Sequence, residues 1–326
     1  MKKYLALALA LILAIGLLAG CSGGSGGSEG GNSEGGKETL TMATGGTTGT
    51  YYAFGASVAQ LFNEKISGLT VTVESSGASK ANVFSVSDGK ADIALVQNDV
   101  ADYGYNGTDL FADSGAEKGF SVMAAAYAEV CQIVAVDGIN SIEDLKGKNV
   151  SVGDAGSGCE FNAHQILEAY GLTFDDITVH NLGFGESADA IKDGKIDAFF
   201  CVAGAPTTAI VDLCTTKDVN IINIDDEHAA KLMEKYPFYS QYTIPAGTYS
   251  SVKEDAKTVA VKATFIVSNE LSEDVVYNMT KTLFENSADI SHAKAAELNT
   301  EYAVGSISVP FHPGAEKYFK EIGAIK

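Results

Sequence analysis

The chain has 326 residues, 46% hydrophobic and 20% charged, enough for one large folded domain or two smaller ones. Its 22 basic residues are all lysine and face 42 acidic ones, a net charge of −20. No nucleic-acid partner is expected from that balance, and the bidentate Arg clamp that many carboxylate and phosphate sites use is excluded. An anionic ligand must be held here by backbone N–H groups, hydroxyls, amides or Lys.

Lys2 and Lys3 precede an apolar run from Leu5 to Ala19, which is short for a membrane span and suited to the core of an export signal. The run ends Leu18-Ala19-Gly20-Cys21, and residues 22–37 carry eight Gly and four Ser. The expectation is a signal peptide over 1–20, then a lipidated Cys21 and a flexible tether over 21–37. A formal Gly-x-Ser-x-Gly match at Gly23 to Gly27 falls in this tether, where no nucleophile elbow can form.

The remaining chain repeats itself. Thr39 to Ala43 alternates as a strand and runs into the small-residue loop Thr44 to Thr50, then an amphipathic helix with Tyr51, Phe54, Val58, Leu61, Phe62 and Ile66 on one face. A strand over Leu69 to Val73 and a short helix lead to Asp88-Gly89-Lys90, followed by a buried strand. Asn149 to Gly153 opens the second copy. Its loop is Asp154 to Gly158, its helix carries Phe161, Ile166, Leu167 and Tyr170, and its next strand is Ile177 to His180. It ends at Asp193-Gly194-Lys195 and a buried strand. Each Gly of the Asp-Gly-Lys elements reads as a helix C′ residue. Thr258 to Val267 reads as a long buried strand, and helices follow over 272–286, 289–298 and 312–322.

Strand-helix-strand-helix-strand, twice, predicts an α/β protein of two doubly wound lobes. Lobe 1 is expected over 38–128 plus 253–326 and lobe 2 over 129–252, with hinge crossings near 126–131 and 245–260. Ligands of such sheets bind outside the carboxyl ends of the strands. One wall of a central cleft is then loops 44–50, 75–78 and 97–99, and the other is loops 154–159, 182–186 and 203–207. Candidate ligand-binding residues are Gly45, Gly46, Thr47, Thr48, Tyr51, Ser76, Gln97 and Asn98 on the first wall. The second supplies Asp154, Gly156, Ser157, Gly158, Cys159, Gly204 and Pro206. Gly-rich loops leading into helices favour a carboxylate or phosphate through free N–H groups and the helix dipole; the alternative for Thr and Ser there is plain capping. Asp154 and Glu160 are candidates for an ammonium group, or for capping.

Other chemistries lack their residues. Thr44 to Tyr51 has no Lys for a Walker A loop, and Gly153 to Gly158 has the wrong order for a dinucleotide fingerprint. The His residues are scattered and no Cys-x-x-Cys occurs, so no metal or other cofactor is expected. Cys131, Cys159, Cys201 and Cys214 read as buried thiols or as one or two disulfides. Cys159 opens a helix, where a thiol pKa is lowered, but His164 lies about 140° around the helix from it. An exported α/β hydrolase using Cys159 is therefore a minor alternative, and a surface lipoprotein of adhesive or immunogenic role is another.

Four segments carry a family resemblance: Thr44-Gly-Gly-Thr-Thr-Gly-Thr-Tyr-Tyr52, Val152-Gly-Asp-Ala-Gly-Ser-Gly-Cys-Glu-Phe-Asn-Ala163, Ile244-Pro-Ala-Gly-Thr-Tyr249 and Pro310-Phe-His-Pro-Gly-Ala315. Together they resemble the extracytoplasmic solute-binding proteins of TRAP transporters, TAXI subfamily, from about residue 39 to the C-terminus. The resemblance implies a two-lobed periplasmic-binding-protein-like fold of type II. It also implies a non-enzymatic receptor, monomeric, that delivers a small carboxylate or amino acid such as glutamate or glutamine to membrane permease subunits. It adds Asn162 to the candidate site. Cys159 stands where the family often has Thr, and Ala205 where it tends to carry a bulkier polar residue.

Overall fold

The computed structural model describes residues 38–326; the leader, Cys21 and the tether lie outside the described residues. Strand β1 (Glu38–Ala43) leads into helix α1 (Thr50–Lys65), β2 (Leu69–Glu74), α2 (Ser79–Ser87) and β3 (Ile93–Gln97), with α3 (Asn98–Asn106) following directly. The long β4 (Phe120–Ala135) carries the chain into the second copy: β5 (Asn149–Ser151), α4 (Gly158–Ala169), β6 (Thr178–His180), α5 (Phe184–Lys192) and β7 (Ala198–Ala203). Next come α6 (Thr208–Leu213), β8 (Asn220–Ile221), α7 (Asp226–Lys235), β9 (Ser240–Ile244) and the long β10 (Ala256–Ser268). The C-terminal segment is α8 (Glu273–Glu285), α9 (Thr300–Val304) and α10 (Pro313–Glu321).

The repeat is real at the level of pairing. β1 lies parallel between β2 and β3, and β5 lies parallel between β6 and β7. Each trio is closed by an antiparallel strand: β10 beside β3, and β4 beside β7. β4 and β10 also pair with each other, so the strand order runs β2-β1-β3-β10-β4-β7-β5-β6. Gly89 and Gly194 take φ of +70° and +68° at the ends of α2 and α5, the left-handed C′ conformation that the two Asp-Gly-Lys elements require.

Burial follows the same division. Leu40, Met42, Phe54, Phe62 and Tyr127 pack with Phe265 and Phe319 in the first half. Ile133, Val150, Ile166 and Phe200 pack with Val259 and Val261 in the second. Within β10 the side chains change cores between Val261 and Ala263. Ala256 and Ala260 also pack in the second half. The helix expected over 289–298 is instead two 3₁₀ turns, Ser287–Asp289 and Ala293–Glu297, interrupted where His292 caps the N–H of Lys294. Cys131, Cys159, Cys201 and Cys214 are all free, buried thiols. Among the described residues no helix is long and apolar enough to cross a membrane, and no cluster of acidic, His and Cys residues has metal-site geometry.

Candidate functional site

A cavity of about 400 Å³ opens between the two halves at the carboxyl ends of their strands. Gly45 to Tyr51 line it from the β1–α1 loop, Ser76 to Ser79 from the β2–α2 loop, and Gln97 from the end of β3. Asp154 and Ser157 to Cys159 line it from the β5–α4 loop, Gly183 to Glu186 from the start of α5, and Val202 and Ala203 from β7. β4 adds one residue, Glu129.

The two walls differ in what they offer a charged group. Helix α1 begins after Gly49 with no side-chain cap and no acidic residue in its first turn. Helix α2 begins after Ala78 in the same way. The first N–H groups of a helix have no intrahelical partner, and here neither dipole is neutralised, so this wall favours negative charge. Ala78 is held at φ 62°, ψ −149°, a conformation costly for any residue with a side chain. Ser76 Oγ anchors that turn by donating to the Asn82 carboxamide or the Thr44 carbonyl, and it accepts from the Ala78 N–H.

On the opposite wall the helix starts are already satisfied. Ser157 Oγ accepts from Glu160 N–H at 3.1 Å, and Glu160 Oε2 accepts from Gly156 N–H at 2.6 Å. Glu186 occupies the first turn of α5 and accepts from Gly183 N–H at 3.3 Å. Capping therefore explains Ser157, Gly156 and Glu160, whereas it does not explain Thr47 or Thr48. Burial and the neighbouring Glu186 raise the Asp154 carboxyl above its usual range. Among the described residues no lysine lines the cavity, while Glu129, Asp154 and Glu186 do.

Eleven of the candidate residues thus come together at the cavity: Gly45, Gly46, Thr47, Thr48, Tyr51, Ser76, Gln97, Asp154, Ser157, Gly158 and Cys159. Gly156, Asn98, Asn162, Gly204 and Pro206 do not line it. Asn98 Oδ1 accepts from Lys262 N–H, and Gly204 O accepts from the Thr50 hydroxyl at 2.9 Å. Asn162 joins the halves: it accepts from Gln97 Nε2 at 3.0 Å and donates to Asp99 Oδ2 at 3.0 Å and to the Tyr239 hydroxyl. Pro206 is exposed, after a cis peptide bond. Burial, first of all, pushes the Asp99 carboxyl up to about 6. Cys159 is no nucleophile candidate: its thiol donates to the Phe200 carbonyl, and burial pushes it up to about 12.

Sequence reasoning placed Phe184 on the second wall through its loop but missed Ser79 and, above all, Glu129. A signal for Glu129 was present, since it is the only charged residue in the sixteen of β4.

Residues 42–323 match the NMT1-like family across nearly all of the described chain. The chain belongs to the NMT1-like family. Among solved structures, a protein from Bordetella bronchiseptica RB50 superposes with a TM-score of 0.50 at 16% identity, over 88% of this chain and 81% of that one. A TRAP periplasmic solute-binding protein from Desulfovibrio salexigens, in complex with diglycerolphosphate, gives 0.49 at 15% identity over 89% and 91%. The alkanesulfonate-binding protein SsuA from Xanthomonas axonopodis pv. citri, bound to MOPS, gives 0.46 at 13% over 86% and 83%. The fold is the expected α/β, two-lobed, type II periplasmic-binding-protein-like fold.

Proposed function

We propose that this chain is an extracytoplasmic solute-binding receptor of a TRAP-type secondary transporter of the TAXI kind. In this reading it is exported, held at the outer face of the cytoplasmic membrane by lipid on Cys21, and monomeric. It captures a small carboxylate or amino acid, glutamate or glutamine in kind, and hands it to the permease subunits. β4 and β10 serve as the hinge strands between lobes centred on the two parallel trios.

One observation carries the proposal. A cavity of small-ligand size lies between two copies of one βαβαβ design, and two uncapped, acid-free helix N-termini meet on one of its walls. A chain without arginine holds a carboxylate in this way. The test is a thermal-shift screen against small carboxylates and amino acids, with mass spectrometry of the recovered ligand. The receptor reading expects a shift with the ligand returned unchanged. Product formation would favour an enzyme, and no shift with any member would leave an adhesive surface protein as the better reading.

A further inference from the structure

Glu129 is 2% exposed, lines the cavity, and its Oε1 has no hydrogen-bond partner. Gln97 also lines the cavity, and its buried Oε1, which faces Gly158, is a second acceptor without a partner, because the amide nitrogen is turned to Asn162. Buried acceptors left open in this way are costly unless something donates to them. The Lys294 ammonium, whose charge acts on Glu129, is paired with another carboxylate: its Nζ lies 2.6 Å from Glu297 Oε1, while Glu297 Oε2 accepts from the Ala128 N–H. The hydroxyls of Tyr51 and Tyr127, buried and with no other acceptor, are the donors nearest in reach of the Glu129 carboxyl. α1 and α2 thus present the anion-favouring wall, while Asp154 and Glu186 on the second wall and Glu129 of β4 are the acidic groups of the cavity.

We propose that Glu129 is a specificity-determining residue that accepts hydrogen bonds from a protonated amine of the solute, assisted by Gln97, so that the receptor selects amino acids over carboxylic acids lacking the amine. This rests on the receptor reading above and narrows its ligand class. Glu129 must then be ionised in the complex. Without solute, burial pushes its carboxyl up to about 8, opposed by Tyr127, Lys294 and the Gly204 N–H and reinforced by Glu297. Binding at neutral pH therefore expels a proton from Glu129. Affinity for an amino acid rises as pH climbs from 6 to 8, for as long as the amine stays charged.

The experiment is calorimetry of the wild-type protein and Glu129→Gln with the L-amino acids and the matching 2-oxo acids, repeated at pH 7 in buffers of different ionisation enthalpy. The expected result is a wild type that prefers the amino acid and releases about one proton on binding it. Glu129→Gln should lose about 30-fold in amino-acid affinity while its 2-oxo-acid affinity changes little. Equal losses for both series, a wild type that prefers the 2-oxo acid, or binding without proton release would overturn the role of Glu129 and leave the receptor reading standing. A wild type that binds neither series would overturn both. The proton count comes from unaltered protein, so it decides the matter even where the variant folds poorly.

Discussion

Glycines at the cavity play two separable parts. A Cβ at Gly46 would meet nothing within 4 Å, so packing does not require a glycine there. Gly46→Val is expected to leave the melting temperature within a degree or two and to weaken solute binding at least tenfold, read by thermal shift and calorimetry together. Gly158 differs, because a Cβ there would run into the Gln97 carboxamide and Val100 of the other half. Glu129 contributes a stability prediction of its own. Its carboxyl is harder to ionise folded than unfolded, so the fold is penalised progressively as pH rises from about 4.5 to about 8, and not below. Glu129→Gln should therefore stabilise the unliganded protein by about 3 kcal/mol at pH 7 and by nothing near pH 4, measured as denaturation midpoints across pH. A variant no more stable at pH 7 than at pH 4, relative to wild type, would show that Glu129 is not held protonated. The Gly-rich loops were legible in sequence because small residues before an amphipathic helix have few other uses. The partner of the ligand's opposite end was not, because the burial of Glu129 depends on strands brought in from distant parts of the chain.

Among the elements, the contrast lies in how each helix begins. α4 and α5 carry Glu160 and Glu186 in their first turns, whereas α1 and α2 carry no acid there. Placing one in α1 tests whether that difference serves the solute: Tyr52→Glu should leave helix stability equal or improved by about 0.5 kcal/mol and weaken a carboxylate ligand several-fold. Unchanged affinity would move the anion to the α2 end of the wall. Most elements could be read from periodicity and from the repeated Asp-Gly-Lys signal, which ends α2 and α5 with the same left-handed glycine. Sequence alone offered both walls as anion sites, since Gly156-Ser157-Gly158 has the same small-residue character as Gly45-Gly46. Only the hydrogen bonds from Gly156 to Glu160 and from Glu160 to Ser157 show that the second wall is already satisfied. β4 was harder to read: its sixteen residues serve two cores in turn, and no turn residue marks where one gives way to the other.

For the molecule as a whole, the two halves share β4 and β10 and touch again around the cavity. Asn162 bridges Gln97 and Asp99, and Thr50 donates to the Gly204 carbonyl. These contacts describe a closed arrangement, and a receptor that closes this way must open to admit and release its solute. In the receptor reading, solute is captured by closure of the halves on the cavity. Small-angle scattering of the soluble protein, with and without a solute whose binding calorimetry has established, tests it most directly. A smaller radius of gyration is expected for the wild type with solute. Gly158→Val, in which the added side chain holds Gln97 away from α4, should stay at the larger value with or without it. A wild-type radius that does not change on confirmed binding would contradict capture by closure and leave a rigid, preformed site.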